Sequence, residues 1–111
     1  MLGLSLIPAV RGEPPETAQN EINYLLGYIG GSACEFYRNG TWYDATRAQA
    51  HLRDKYDYLV KKDRINTAED FIEKAATESS LSGRPYQVRC SGGGAVPTNE
   101  WLREVLARYR L

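Results

Sequence analysis

Two cysteines, Cys34 and Cys90, constrain the fold of this 111-residue chain more than any other pair of residues. Each adjoins a β-prone stretch, Glu35-Phe36-Tyr37-Arg38 after the first and Pro85-Tyr86-Gln87-Val88-Arg89 before the second. A bridge between them would pin two distant segments together and place the chain in an oxidising compartment. The loop it closes, 34 through 90, is long enough for the chain-entropy relation to assign it roughly 4 kcal/mol. That is a large share of what a domain this small commands. The alternatives are an unpaired buried pair and a redox-active pair. Redox motifs hold their cysteines two residues apart near a helix N-terminus, so a structural bridge is favoured. It requires the two Cα atoms to come within about 7 Å.

Charge narrows the partners. The formal net charge is zero, and removing residues 1–12 takes away only Arg11. No basic excess of the kind a nucleic-acid binder carries is present. The hydrophobic share of 42% and the eight tyrosines argue for a folded globular chain rather than a disordered one. Tyrosine suits a half-buried position beside a small core as well as a binding surface.

Residues 1–12, Met1 through Gly12, form a short apolar leader resembling the end of a signal-peptide hydrophobic region. Val10 and Gly12 supply small residues at a cleavage site before Glu13. The positively charged n-region is missing: either the true start lies upstream of Met1 or the resemblance is accidental. No apolar run reaches the length of a membrane span. We therefore expect a secreted, periplasmic chain, with residues 13–111 forming a single globular domain.

Within that domain, Ala18, Ile22, Leu25, Leu26 and Ile29 trace one helical stripe between the Pro14-Pro15 break and Gly30-Gly31. Asn39-Gly40 between β-prone residues signals a hairpin with a type I′ turn, which needs positive φ at both central positions. Asp44 or Thr46 caps a second helix whose inner stripe is Ala45, Ala48, Leu52, Tyr56 and Leu59. Thr67 with Asp70 three residues on opens a third helix in capping-box fashion. A strand spans Pro85 to Cys90, Gly92-Gly93-Gly94 breaks it, and Thr98 caps a last helix bearing Trp101, Leu102, Val105, Leu106 and Tyr109. The expected class is α+β: four amphipathic helices packed on a small antiparallel sheet, made of the Asn-Gly hairpin plus one later strand and stapled by the disulfide.

The chemistry-bearing residues are few. His51 is the only histidine. Paired with Cys34 or one of Ser79, Ser80 and Ser82 it could act as a base, but no serine sits in a nucleophile elbow. One histidine and two distant cysteines match no metal spacing. The Ser79–Tyr86 loop offers hydroxyls and N–H groups near Arg84, an anion-binding concavity or a plain connector. Arg38 could reach a ligand carboxylate or pair with Glu35 on its own hairpin.

Several stretches together resemble a known family. These are Cys34-Glu35-Phe36-Tyr37-Arg38-Asn39-Gly40, Ala48-x-x-His51-Leu52-x-x-Lys55, Thr67-Ala68-Glu69-Asp70-Phe71-Ile72, Ser80-Leu81-Ser82-Gly83-Arg84-Pro85-Tyr86 and Trp101-Leu102. In that order, from about Glu21 to Arg110, they resemble the small YfeK-like proteins of Gram-negative bacteria, a domain-of-unknown-function family. The resemblance implies a bacterial, exported protein without an established activity. It places weight on Arg38, Asn39, Gly40, His51, Lys55, Ser80, Ser82, Gly83 and Tyr86.

The resulting expectation is a non-enzymatic periplasmic binding or interaction domain without a cofactor. Its partner would be a small ligand, a peptide or an envelope protein. The site would gather Arg38, Asn39, His51, Lys55, Ser80, Ser82 and Tyr86, a set suited to a carboxylate. One rival is a small hydrolase using His51 with Ser80 or Ser82. Another is a structural or immunity-like inhibitor showing an exposed aromatic patch of Tyr24, Tyr28, Tyr56 and Tyr58 and no pocket.

Overall fold

Two prolines set the first helix. Pro15 precedes α1 (Glu16–Gly30), and its carbonyl accepts the amide of Gln19 at 3.0 Å. The computed structural model describes residues 13–111, so the leader at 1–12 lies outside the described residues. Along α1 the predicted stripe is buried, with Ile22, Leu25, Leu26 and Ile29 closed off completely.

The hairpin forms as its turn residues require. Strands β1 (Glu35–Arg38) and β2 (Thr41–Asp44) flank Asn39 and Gly40, whose φ angles are 51° and 90°. Gly40 meets its half of that demand without steric cost, and asparagine tolerates the left-handed region better than most residues. Asp44 ends β2 and caps α2 (Ala45–Lys61), its carboxylate accepting the Arg47 amide at 2.8 Å. The capping box between Thr67 and Asp70 opens α3 (Ala68–Ala75) with both reciprocal hydrogen bonds made.

Three departures follow. The expected strand at 85–90 narrows to β3 (Gln87–Arg89), with Pro85 only bridging Glu78. A further short strand, β4 (Val96–Pro97), pairs antiparallel with β3, so the sheet has four strands in the order β2-β1-β3-β4. A proline is tolerated there because β4 is an edge. Two residues after a glycine run carry no readable alternation, so β4 left no periodic signal. Thr98 does not cap the last helix, α4 (Thr98–Tyr109); it is its first residue, held by its amide donating to the Tyr86 carbonyl at 3.0 Å.

The cysteines are bonded. Register pairs Glu35 with Arg89 and Phe36 with Val88, which sets Cys34 against Cys90 at the end of the β1–β3 ladder. Their Cα atoms stand 4.4 Å apart, the spacing of a directly opposed antiparallel pair. The α+β class with its staple thus holds.

Alternation along the strands sorts the two faces of the sheet. Phe36 and Val88 are buried beneath α2, which packs on β1 and β2, and α4, which packs on β3 and β4. The other face carries Trp42 with Tyr37 at 5.4 Å between ring centroids and the Arg89 guanidinium 3.9 Å over its ring. At the far end of the helical layer, Arg110 reaches Glu21 of α1 with two hydrogen bonds, 2.8 and 2.9 Å, and Glu69 of α3 with two more. One guanidinium ties three helices together. Among the described residues no helix is long and apolar enough to cross a membrane.

Candidate functional site

The site lies where the hairpin meets α2. On a helix, residues four apart share a face, and Arg47, His51 and Lys55 follow that spacing along α2. Arg38 shares the covered face of β1 with Phe36, two residues before it. Between them opens a cavity of about 170 Å³, with Phe36, Tyr43, Ala48, Leu52 and Tyr86 as largely apolar walls. Tyr37, Arg38, Arg47, His51 and Thr98 complete its lining, and no aspartate or glutamate is among the described lining residues.

Tyr86 is the hinge of the polar groups. Its hydroxyl accepts from the Lys55 ammonium at 3.1 Å and stands 3.1 Å from His51 Nε2. With Lys55 donating, we assign the phenol proton to the bond toward His51, whose Nε2 then accepts. Burial, together with the positive charges of Arg38 and Lys55, holds the His51 pKa below its ordinary value and favours that neutral ring. Burial likewise lowers Lys55, with Arg38 adding to it and Glu78 opposing, and raises the Tyr86 phenol. Lys55 also donates to the Glu78 carbonyl at 2.7 Å, and its ammonium lies 4.9 Å from the Tyr86 ring centre.

Among the described residues, the cavity's arginines are free of ion pairs. Glu35, the partner open to Arg38 in the sequence, is taken by Arg89 at 2.9 Å. Arg38 instead lies 4.9 Å over the Tyr43 ring, and neither it nor Arg47 forms a salt bridge among the described residues. Beyond the His51–Tyr86 pair a second, more open hollow of about 280 Å³ is lined by Arg38, Asp54, Lys55, Ser79 and Ser80.

Of the expected site residues, Arg38, His51, Lys55 and Tyr86 come together. Asn39 and Ser82 do not offer themselves to a ligand. The Asn39 amide donates to Ser79 Oγ at 3.0 Å and accepts from the Ser82 hydroxyl. Those bonds latch the hairpin turn to the Ser79–Arg84 loop. Ser79 is the hub of this latch: 4% exposed, it also accepts the amides of Leu81 and Ser82. Ser80 is exposed and lines the outer hollow, not the inner cavity. Among the described residues no serine hydroxyl is hydrogen-bonded to His51; its partner is the Tyr86 hydroxyl, and Cys34 is committed to the disulfide.

Sequence reasoning passed over Arg47 and Thr98. Arg47 could have been found, because it stands four residues before His51. Thr98 could not, since only the packing of α4 brings it to the cavity. The aromatic patch also differs from expectation. Tyr24 and Tyr28 do lie exposed, but they continue into Tyr109, stacked on Tyr24 at 4.2 Å, and Trp101, 5.5 Å from Tyr28. Tyr56 is instead buried against Phe71, and Tyr58 sits elsewhere under Lys62.

The profile of a family of unknown function, DUF5329, matches residues 16–110, nearly all that is described. The chain belongs to the DUF5329 family. It is also similar to the uncharacterized protein YfeK of Salmonella typhimurium, 45% identical over 51 residues. That stretch covers 46% of this chain and 41% of the Salmonella protein, so less than half of that relative is spanned. The YfeK-like resemblance therefore holds. No solved structure matches the chain.

Proposed function

We propose that this member of DUF5329 is a non-enzymatic periplasmic binding domain, and that its cleft takes an anionic group, a carboxylate on a small ligand or a peptide. One observation carries the reading: two arginines that form no ion pair among the described residues line a half-open cavity, and no described carboxylate lines it with them. Guanidinium groups bind carboxylates through paired, charge-assisted hydrogen bonds, and a cavity wall of low polarity strengthens them. Lys55, bonded to the Tyr86 hydroxyl, adds a positive charge in the adjoining hollow. The disulfide supports the compartment, because such bridges persist where the surroundings are oxidising.

The test is a titration of the whole chain with propionate, followed by backbone amide shifts, for the wild type and for Arg38→Gln/Arg47→Gln. Saturable shifts around β1 and α2 that vanish in the double variant are expected. Unchanged binding by the variant would refute the assignment of the anion to these arginines. Osmotic-shock fractionation of the native host tests the compartment, with recovery in the cytosolic fraction as the contrary result.

A further inference from the structure

We infer that the ligand of this cleft is a monocyclic aromatic carboxylate, its ring in the cavity and its carboxylate at Arg38 and Arg47; the inference rests on the anion-binding reading above. Size comes first. A cavity of about 150 Å³ with apolar walls admits a benzene ring. The present one, at about 170 Å³, is of the size that a single ring fills. Its walls agree, since Phe36, Tyr43 and Tyr86 can meet a ring in offset or edge-on contact, while Ala48 leaves the space that a larger residue would fill.

The placement of charge agrees as well. Arg38 and Arg47 belong to the same lining as those rings, so a carboxylate on a short spacer reaches them while the ring stays buried. Opposite them in the fold, the wall includes Thr98 at the start of α4. Thr98 is 1% exposed, and its hydroxyl is a buried side-chain polar atom without a hydrogen-bond partner among the described residues. Buried hydroxyls are ordinarily paired, and a polar substituent on the ring would supply that partner.

Two sources carry this chemistry, a free arylalkanoic acid and the C-terminal phenylalanine of a peptide. The experiment therefore titrates the full chain with 3-phenylpropionate, 3-phenylpropionamide, propionate, 3-(2-naphthyl)propionate and acetyl-Gly-Gly-Phe, reading affinity by calorimetry and location by amide shifts. 3-Phenylpropionate is expected to bind about tenfold or more tighter than propionate, as burial of a ring predicts. It should also exceed the amide and the naphthyl acid, with shifts centred on Phe36, Ala48 and Leu52. Ala48→Met should lose that advantage; where this variant fails to fold, the shift map of the wild type decides instead.

Equal affinity for propionate and 3-phenylpropionate overturns the ring assignment and leaves the anion reading standing. An amide as tight as the acid overturns the anion reading, and no binding by any probe overturns both. Tighter binding of the peptide than of the free acid supports the chemistry and assigns it to a chain terminus. The reverse order supports it and assigns it to a free acid.

Discussion

Removing the Cys34–Cys90 bridge is the perturbation whose size the structure fixes best. The bond joins residues 56 apart in sequence. In the chain-entropy relation, a loop of that length loses about 14 cal/mol/K of unfolded-state freedom, or about 4 kcal/mol at 25 °C. Unfolding entropy near 2 cal/mol/K per residue makes this a fall in Tm of about 20 °C for a domain of roughly a hundred residues. Cys34→Ala/Cys90→Ala is the right variant, because Cys34 is buried and a serine would bring an unpaired hydroxyl with it.

The assay is thermal unfolding followed by circular dichroism, for the variant and for the wild type with and without a thiol reductant. Reduced wild type and variant should melt close together, well below the oxidised protein. The native fold should persist in the cold, since β1 and β3 also share their ladder and a buried core. A drop of less than about 5 °C would refute the reasoning. It would mean that the unbridged chain already holds β1 near β3 when unfolded, leaving the bond little freedom to remove.

Three further outcomes are expected. Asn39→Ala should cost about 2–3 kcal/mol in chemical denaturation, from a strained positive φ and two lost latch bonds, and Asn39→Gly should cost less because it keeps the turn; equal losses would discount the turn's share. Arg110→Met should cost about 2 kcal/mol, discounted from a fully buried pair because the guanidinium is 41% exposed, and should blunt acid unfolding. Glu21 and Glu69 hold depressed pKa values through their bonds to Arg110, so that stability is present above about pH 4.5 and lost as pH falls; a variant with unchanged acid sensitivity would contradict this. His51 has a folded pKa below its unfolded 6.5, so the unfolded chain binds the extra proton first and stability should fall as pH drops from about 6.5 toward the folded value; His51→Gln should flatten that part of a pH–stability curve.

Much of the fold was readable because local chemistry and tertiary need coincide. The α1 stripe, the Asn39-Gly40 turn and the Thr67–Asp70 box each state a conformation that packing then uses. What escaped the sequence had no local signature. β4 is two residues long, and Thr98 looks like an ordinary cap until the packing of α4 turns its hydroxyl into a buried wall. Around the site the pattern is the same. His51 and Lys55 were legible from their helical spacing, and Arg38 from its place in the hairpin. The division between Asn39 and Ser79, which latch, and Arg47, which lines the cavity, depends on contacts across forty residues of sequence.

Those long contacts explain why the cleft is where it is. Continuing the β1–β3 register one step past Tyr37 and Gln87 brings Arg38 opposite Tyr86. Both are thus positioned by strand pairing rather than by any bond between them. A slip of one residue in β1 would turn Arg38 to the opposite face, where Trp42 and Arg89 lie. The pairing is secured at both ends: the disulfide closes it beside Glu35 and Arg89, and the Asn39 amide closes it at the turn. Neither fastening touches the cavity. Each instead removes a register in which Arg38 would face away from α2, and so the cysteines and the asparagine serve the site by excluding the alternatives to it.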